Sequence, residues 1–156
     1  DIDMNALLEA RNMTYSKERL KAMDGRLIEK YFDKAADGKF ILKSYVRNMV
    51  RLRQHDIVKD KPYLRCDIVL CRNLLIYFNR QLQEETILKF YECLNPGGFL
   101  VLGMVESLIG SAAKMFEHVD NRLRIYRRPE EDEAKGTGSV MSQEDIDRIV
   151  KDMLSA

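Results

Sequence analysis

Apolar side chains run together at Ile68-Val69-Leu70, between Cys66 and Cys71, and again at Phe99-Leu100-Val101-Leu102. Short runs of this kind, rich in branched aliphatic residues, predict strands buried on both faces of a sheet. Between them, residues 80–94 place Ile87, Leu88, Tyr91 and Leu94 on one face at helical spacing. Asn95-Pro96-Gly97-Gly98 then ends the helix with residues that cannot continue it. Upstream, Leu7, Leu8 and Arg11 recur at helical spacing over 4–11, with Asp3 as the cap, and a second helical stretch covers 26–31. Residues 32–42 have the form of a hairpin turning at Asp37-Gly38, and a short helix is expected at 45–49. Residues 50–56 alternate apolar and polar, which predicts a strand ending on Asp56. Residues 116–127 read as two strands around Asp120-Asn121, an antiparallel edge pair. Helix and strand alternate through the middle of the chain, as in a wound α/β sheet.

The pattern changes after Arg128. Residues 129–141 begin with a stretch free of large apolar side chains and read as a flexible linker. Residues 142–156 then form one more amphipathic helix, opened by Ser142 and carrying Ile146, Ile149, Val150, Met153 and Leu154 at i, i+3, i+4, i+7 and i+8.

At 156 residues the chain can build one domain with a real core. Its 26 Lys and Arg against 25 Asp and Glu give a formal net charge of +1, which does not suggest a nucleic-acid partner. No apolar run approaches the ~20 residues of a membrane span. Three cysteines, Cys66, Cys71 and Cys93, on strand and helix positions read as reduced, packed thiols of a cytoplasmic protein. With only two histidines, far apart, no metal site is expected.

Chemistry enters just past the first apolar run, at Cys71-Arg72-Asn73-Leu74-Leu75-Ile76-Tyr77-Phe78. An α/β sheet presents the residues beyond its strand ends to a ligand crevice. Here those residues are a cation, an amide and, one short turn on, a phenol. In isolation an Arg-Asn pair is more often a solvated loop, and Tyr77-Phe78 more often core. Their joint position after a strand favours a site for Arg72, Asn73 and Tyr77, with Phe78 left in the core.

Further segments accompany that run: Asp1-Ile2-Asp3, the Asp37-Gly38-Lys39 turn, His55-Asp56-Ile57, Leu94-Asn95-Pro96-Gly97-Gly98-Phe99-Leu100 and Gly103-Met104-Val105-Glu106-Ser107. In this order they resemble the CheR family of chemotaxis receptor methyltransferases, which move a methyl group from S-adenosylmethionine to receptor glutamates. The resemblance covers about residues 1–128. It implies a partial class I S-adenosylmethionine-dependent methyltransferase fold, a Rossmann-like α/β sheet lacking its first two strands, with a small β-hairpin subdomain at about 31–45. It implies that Asp1 meets the ribose hydroxyls of the cofactor, that Asp56 and the backbone of Ile57 border the adenine, and that Arg72, Asn73 and Tyr77 face the sulfonium and the incoming carboxylate. S-adenosylhomocysteine would be the product. For Asp3, helix capping is the favoured reading. The resemblance also implies methyl-accepting chemotaxis receptors as partners, in the cytoplasm.

Departures from the family pattern matter as well. No G-x-G segment precedes Asp56, so the glycine-rich cofactor loop is missing, and the chain reads as an incomplete part of an enzyme, inactive alone. Met104-Val105 stand where most members have a histidine before Glu-Ser. The hairpin turn, Ala36-Asp37-Gly38-Lys39, is shorter than in members that capture a receptor-tail pentapeptide, so no such capture is expected. Ser142-Gln143-Glu144-Asp145-Ile146-Asp147 resembles the segment by which flagellar switch proteins of the FliM and FliY type bind the response regulator CheY. Residues 142–154 either dock CheY in this way or fold back on their own domain. A non-catalytic, methyltransferase-like signalling scaffold is the alternative to the enzyme.

Overall fold

The structure, a computed structural model, describes residues 1–130. The linker and terminal helix expected beyond Glu130 lie outside the described residues. The chain divides into two compact units, Asp1–Asp56 and Ile57 onward.

In the first unit, α1 (Met4–Asn12) starts where expected, because the Asp3 carboxylate accepts from the Asn5 N–H at 2.7 Å. It stops at Met13, whose left-handed backbone turns the chain into β1 (Thr14–Tyr15). Helix α2 (Gly25–Tyr31) is capped by Asp24 in the same way. Strands β2 (Phe32–Lys34) and β3 (Phe40–Leu42) form the expected hairpin, with Phe32 opposite Leu42 and Lys34 opposite Phe40. Gly38, at φ 79°, supplies the left-handed residue of the turn, and Asp37 holds Lys39 through its backbone N–H and its ammonium. β1 pairs with the far side of β3, so the small sheet has three strands in the order β1-β3-β2. α3 (Ser44–Arg47) follows, slightly earlier than the pattern placed it.

In the second unit, β4 (Cys66–Cys71), α4 (Arg80–Cys93) and β5 (Leu94–Leu102) form the expected strand-helix-strand unit, with β4 and β5 parallel. Asn79 caps α4 by accepting from the Leu82 N–H at 2.9 Å. At its other end, the Arg128 guanidinium donates to the Tyr91 and Leu94 carbonyls at 2.9 and 2.8 Å and lies over the Tyr91 ring. That cation satisfies carbonyls the helix leaves open. Strands β6 (Glu117–Asp120) and β7 (Ile125–Arg127) are the expected antiparallel pair, and β7 also runs antiparallel to β5. The sheet order is β4-β5-β7-β6. Ile87 of α4 packs into a fully buried cluster with Leu100, Leu102 and Tyr126 from the sheet.

Two expectations need correction. Residues 50–56 form no strand: alternation fixes which side chains share a face, but a strand also needs a ladder. Here the bonds to Asp1 and Ile2, His55 N–H to Asp1 C=O at 2.9 Å and the Gln54 side-chain amide to Ile2 C=O at 3.2 Å, make no ladder. Nor is β4 buried on both faces. Val69 and Cys71 point toward α4, whereas Ile68 and Leu70 are 65% and 68% exposed on the opposite face, which no described residue covers. Among the described residues β4 is also a sheet edge, paired with β5 alone.

Candidate active site

β4 and β5 end side by side, Cys71 opposite Leu102, so the two loops that follow leave the sheet together. The first holds Arg72, Asn73 and a 3-10 turn, Leu75–Tyr77; the second begins at Gly103. One side chain joins them. Glu106 is 3% exposed, and its Oε2 accepts from the backbone N–H groups of Gly103 at 2.7 Å and Asn73 at 2.9 Å. Its Oε1 accepts from those of Leu74 and Leu75, each at 2.8 Å. Burial, the largest single influence on this carboxyl, raises its pKa, yet the bonds from Asn73, Gly103, Leu75 and Leu74 together hold it below the ordinary carboxylate value. Glu106 is therefore an ionised, fully bonded carboxylate inside the protein.

The fit around it is close. A Cβ added at Gly103 would lie 3.0 Å from Asn73 Oδ1 and 3.1 Å from Asn73 N, closer than ordinary contact. Asn73 itself has φ 58°, a left-handed conformation that asparagine tolerates better than most residues. Beyond it, Leu75 is buried and anchors the 3-10 turn, while the Gln83 amide of α4 donates to the Leu75 and Phe78 carbonyls at 2.9 and 3.0 Å. Phe78 packs on the core, as expected.

What this framework presents outward is polar and reactive in type. Arg72 and Asn73 are exposed, and Tyr77 is 78% exposed. Among the described residues no side-chain hydrogen bond or ion pair engages these three. Beside them, Met104 and Val105 are exposed on the second loop, where the Arg124 guanidinium reaches the Met104 carbonyl at 3.3 Å. The nearby thiol is not a nucleophile: burial, with a smaller push from Glu106, raises the Cys71 pKa to about 12. Burial and the neighbouring Cys66 raise that of Cys93 to about 11. Neither buried thiol suits a covalent cysteine intermediate.

Ile57 belongs to the same unit as the loop; it packs on the core and its carbonyl accepts from Lys89 Nζ at 2.9 Å. Asp1 and Asp56 belong to the first unit. There the Asp1 main chain lies against residues 53–55, and its carboxylate accepts from the Asp3 N–H at 2.9 Å. The structure thus gathers Arg72, Asn73 and Tyr77 on one loop and sets Asp1 beside the segment leading to Asp56. Glu106 is the residue to which sequence reasoning gave no role. The available signal was an acid among apolar neighbours, four residues past the end of a core strand.

A mixed α/β sheet with a parallel strand-helix-strand unit and a polar loop past its strand ends is consistent with a partial class I S-adenosylmethionine-dependent methyltransferase fold. Comparison with known proteins makes this more specific. The CheR methyltransferase, SAM binding domain, matches residues 1–125. Chemotaxis protein methyltransferase 2 of Vibrio cholerae is 36% identical over 111 residues, 69% of this chain and 38% of the relative. The putative methyltransferase Cher3 of Pseudomonas putida is 34% identical over 136 residues, 82% of this chain and 50% of the relative. The chain belongs to the CheR methyltransferase family, and its cofactor is S-adenosylmethionine. It spans half or less of the length of these relatives.

Proposed function

We propose that this chain is part of a protein-glutamate O-methyltransferase that esterifies glutamate side chains of chemotaxis receptors. The observation that carries the reading is the loop past β4, in which Arg72, Asn73 and Tyr77 stand exposed on a backbone held by a buried carboxylate. The cofactor supplies an electrophilic methyl on a sulfonium; the receptor carboxylate, already ionised near neutral pH, attacks it in line. The carbon–sulfur bond breaks as the carbon–oxygen bond forms, giving a methyl ester and S-adenosylhomocysteine, and no general base is needed. The protein's part is alignment and exclusion of water. Arg72 holds the attacking carboxylate through its planar fork, Tyr77 packs or hydrogen-bonds beside the methyl, and Asn73 shares the sulfonium side. Asp1 takes the ribose hydroxyls, and Asp56 with the Ile57 backbone borders the adenine.

The test is transfer of a labelled methyl group by the full-length protein to receptor cytoplasmic domains, scored as base-labile ester. Arg72→Lys keeps the charge and loses the fork, and should lower kcat/KM about tenfold or more. Transfer undiminished in Arg72→Lys would remove Arg72 from this role, and absence of any ester with wild type would end the reading.

Ser142-Gln143-Glu144-Asp145-Ile146-Asp147 favours a second reading, a signalling scaffold docking CheY through residues 142–154. Deleting residues 137–156 should then weaken CheY binding, and unchanged affinity on calorimetry would refute it.

A further inference from the structure

We infer that Glu106 is a positioning residue for methyl transfer, fixing the backbone from which Arg72, Asn73 and Tyr77 reach the reacting atoms. The inference rests on the methyltransferase reading above and adds a residue that never touches substrate. Its carboxylate is 3% exposed and receives four main-chain N–H groups, three of them consecutive, from Asn73 to Leu75. A carboxylate collecting donors from two loops fixes both the path of each loop and the separation between them. The Met104 and Val105 side chains of the second loop, by contrast, are exposed. Two further features depend on that separation. Asn73 keeps a left-handed backbone, φ 58°, which costs about 1 kcal/mol and persists only where surrounding bonds impose it. Gly103 is the residue that lets the loops approach, because a side chain there would meet both Asn73 and the Glu106 carboxylate.

Plain stabilisation of the fold is the competing account, and it predicts a different experiment. In Glu106→Gln, one carboxylate oxygen becomes an NH2 group that faces backbone donors, so at least one of the two oxygen positions must release its N–H groups. The loop from Arg72 to Tyr77 then drifts while α4 and the sheet, held by their own core, remain. Methyl transfer to a receptor domain is measured for the full-length protein and for Glu106→Gln well below their melting temperatures. A positioning role predicts kcat lower by about 100-fold, the cost of a misplacement on the order of 1 Å. The dissociation constant for S-adenosylhomocysteine should change by less than about tenfold, and the Asn73 and Leu74 amide resonances should move. Where Glu106→Gln does not fold, Gly103→Ala decides, since its methyl crowds both the Glu106 carboxylate and Asn73 and pushes the two loops apart while keeping the carboxylate chemistry; the same selective loss of kcat is expected. A folded variant with a lowered melting point and wild-type kcat overturns the positioning role and leaves the methyltransferase reading intact. Wild type that forms no ester overturns that reading itself.

Discussion

Glu106 couples charge to stability in a way that can be read by pH. Its carboxyl is held below its ordinary value of 4.5 in the folded protein, so its ionised form favours folding. That contribution is complete above the unfolded value and is lost as pH falls through the folded one. Denaturant titrations should therefore find Glu106→Gln less stable than wild type by on the order of 3 kcal/mol at pH 7, with the gap narrowing as pH falls below the ordinary value of 4.5 and through the lowered folded one. A gap independent of pH would mean that the carboxylate is not ionised in the folded state. Among the cysteines, burial decides reactivity. Cys71 and Cys93, raised to about 12 and 11, should resist a thiol reagent at pH 7 until the protein is unfolded, while half-exposed Cys66 reacts first. Counting fast and slow thiols with and without denaturant checks this. At this scale, Asp3 was legible as a cap because its partner, Asn5, is two residues away. Glu106 was not, because Asn73, Leu74 and Leu75 lie more than thirty residues upstream, and only the fold brings them together.

Elements were legible where local chemistry alone determines them. Residues 95–98 ended α4 as their composition requires, but they also serve β5, whose ladder with β4 skips from Cys66 opposite Leu94 to Ile68 opposite Phe99. The extra residues bulge outward, with Gly97 at φ 77° and the Asn95 amide on the Asp67 carboxylate at 2.8 Å. Gly98 is buried where a Cβ would stand 2.8 Å from the Asn95 carbonyl oxygen and 3.2 Å from that of Asp67, both backbone atoms that cannot swing aside. Gly98→Ala should cost about 1–3 kcal/mol in urea unfolding, in line with overpacking of a closed site, and an unchanged midpoint would show that the bulge yields freely. β1 escaped notice because two residues carry no periodicity, and residues 50–56 misled because alternation survives without a ladder to join. The family-specific loop was easier: its polar trio follows a strand end, a place where sequence order and spatial order coincide.

For the whole molecule, the question is how much of a cofactor site these residues can form. Class I methyltransferases and their nucleotide-binding relatives hold an extended ligand across the strand ends, with a glycine-rich turn letting main-chain N–H groups approach it. In this chain the candidates for that work are Asp1, Asp56, Ile57, Arg72 and Asn73, and no G-x-G segment precedes Asp56. The edge of β4 has no strand beyond it among the described residues, and Ile68 and Leu70 are exposed beside it, so this flank of the crevice has no wall there. A methionine moiety gripped from one side only remains solvated, and its ordering entropy is not offset. Residues 1–156 alone should therefore bind S-adenosylmethionine more weakly than micromolar, short of the roughly 8 kcal/mol that a 1 μM complex requires. Isothermal calorimetry on this chain, beside the full-length protein, decides the matter. Micromolar binding by residues 1–156 would mean that the Arg72–Tyr77 loop and its Glu106 anchor form a self-sufficient site rather than one side of a larger one.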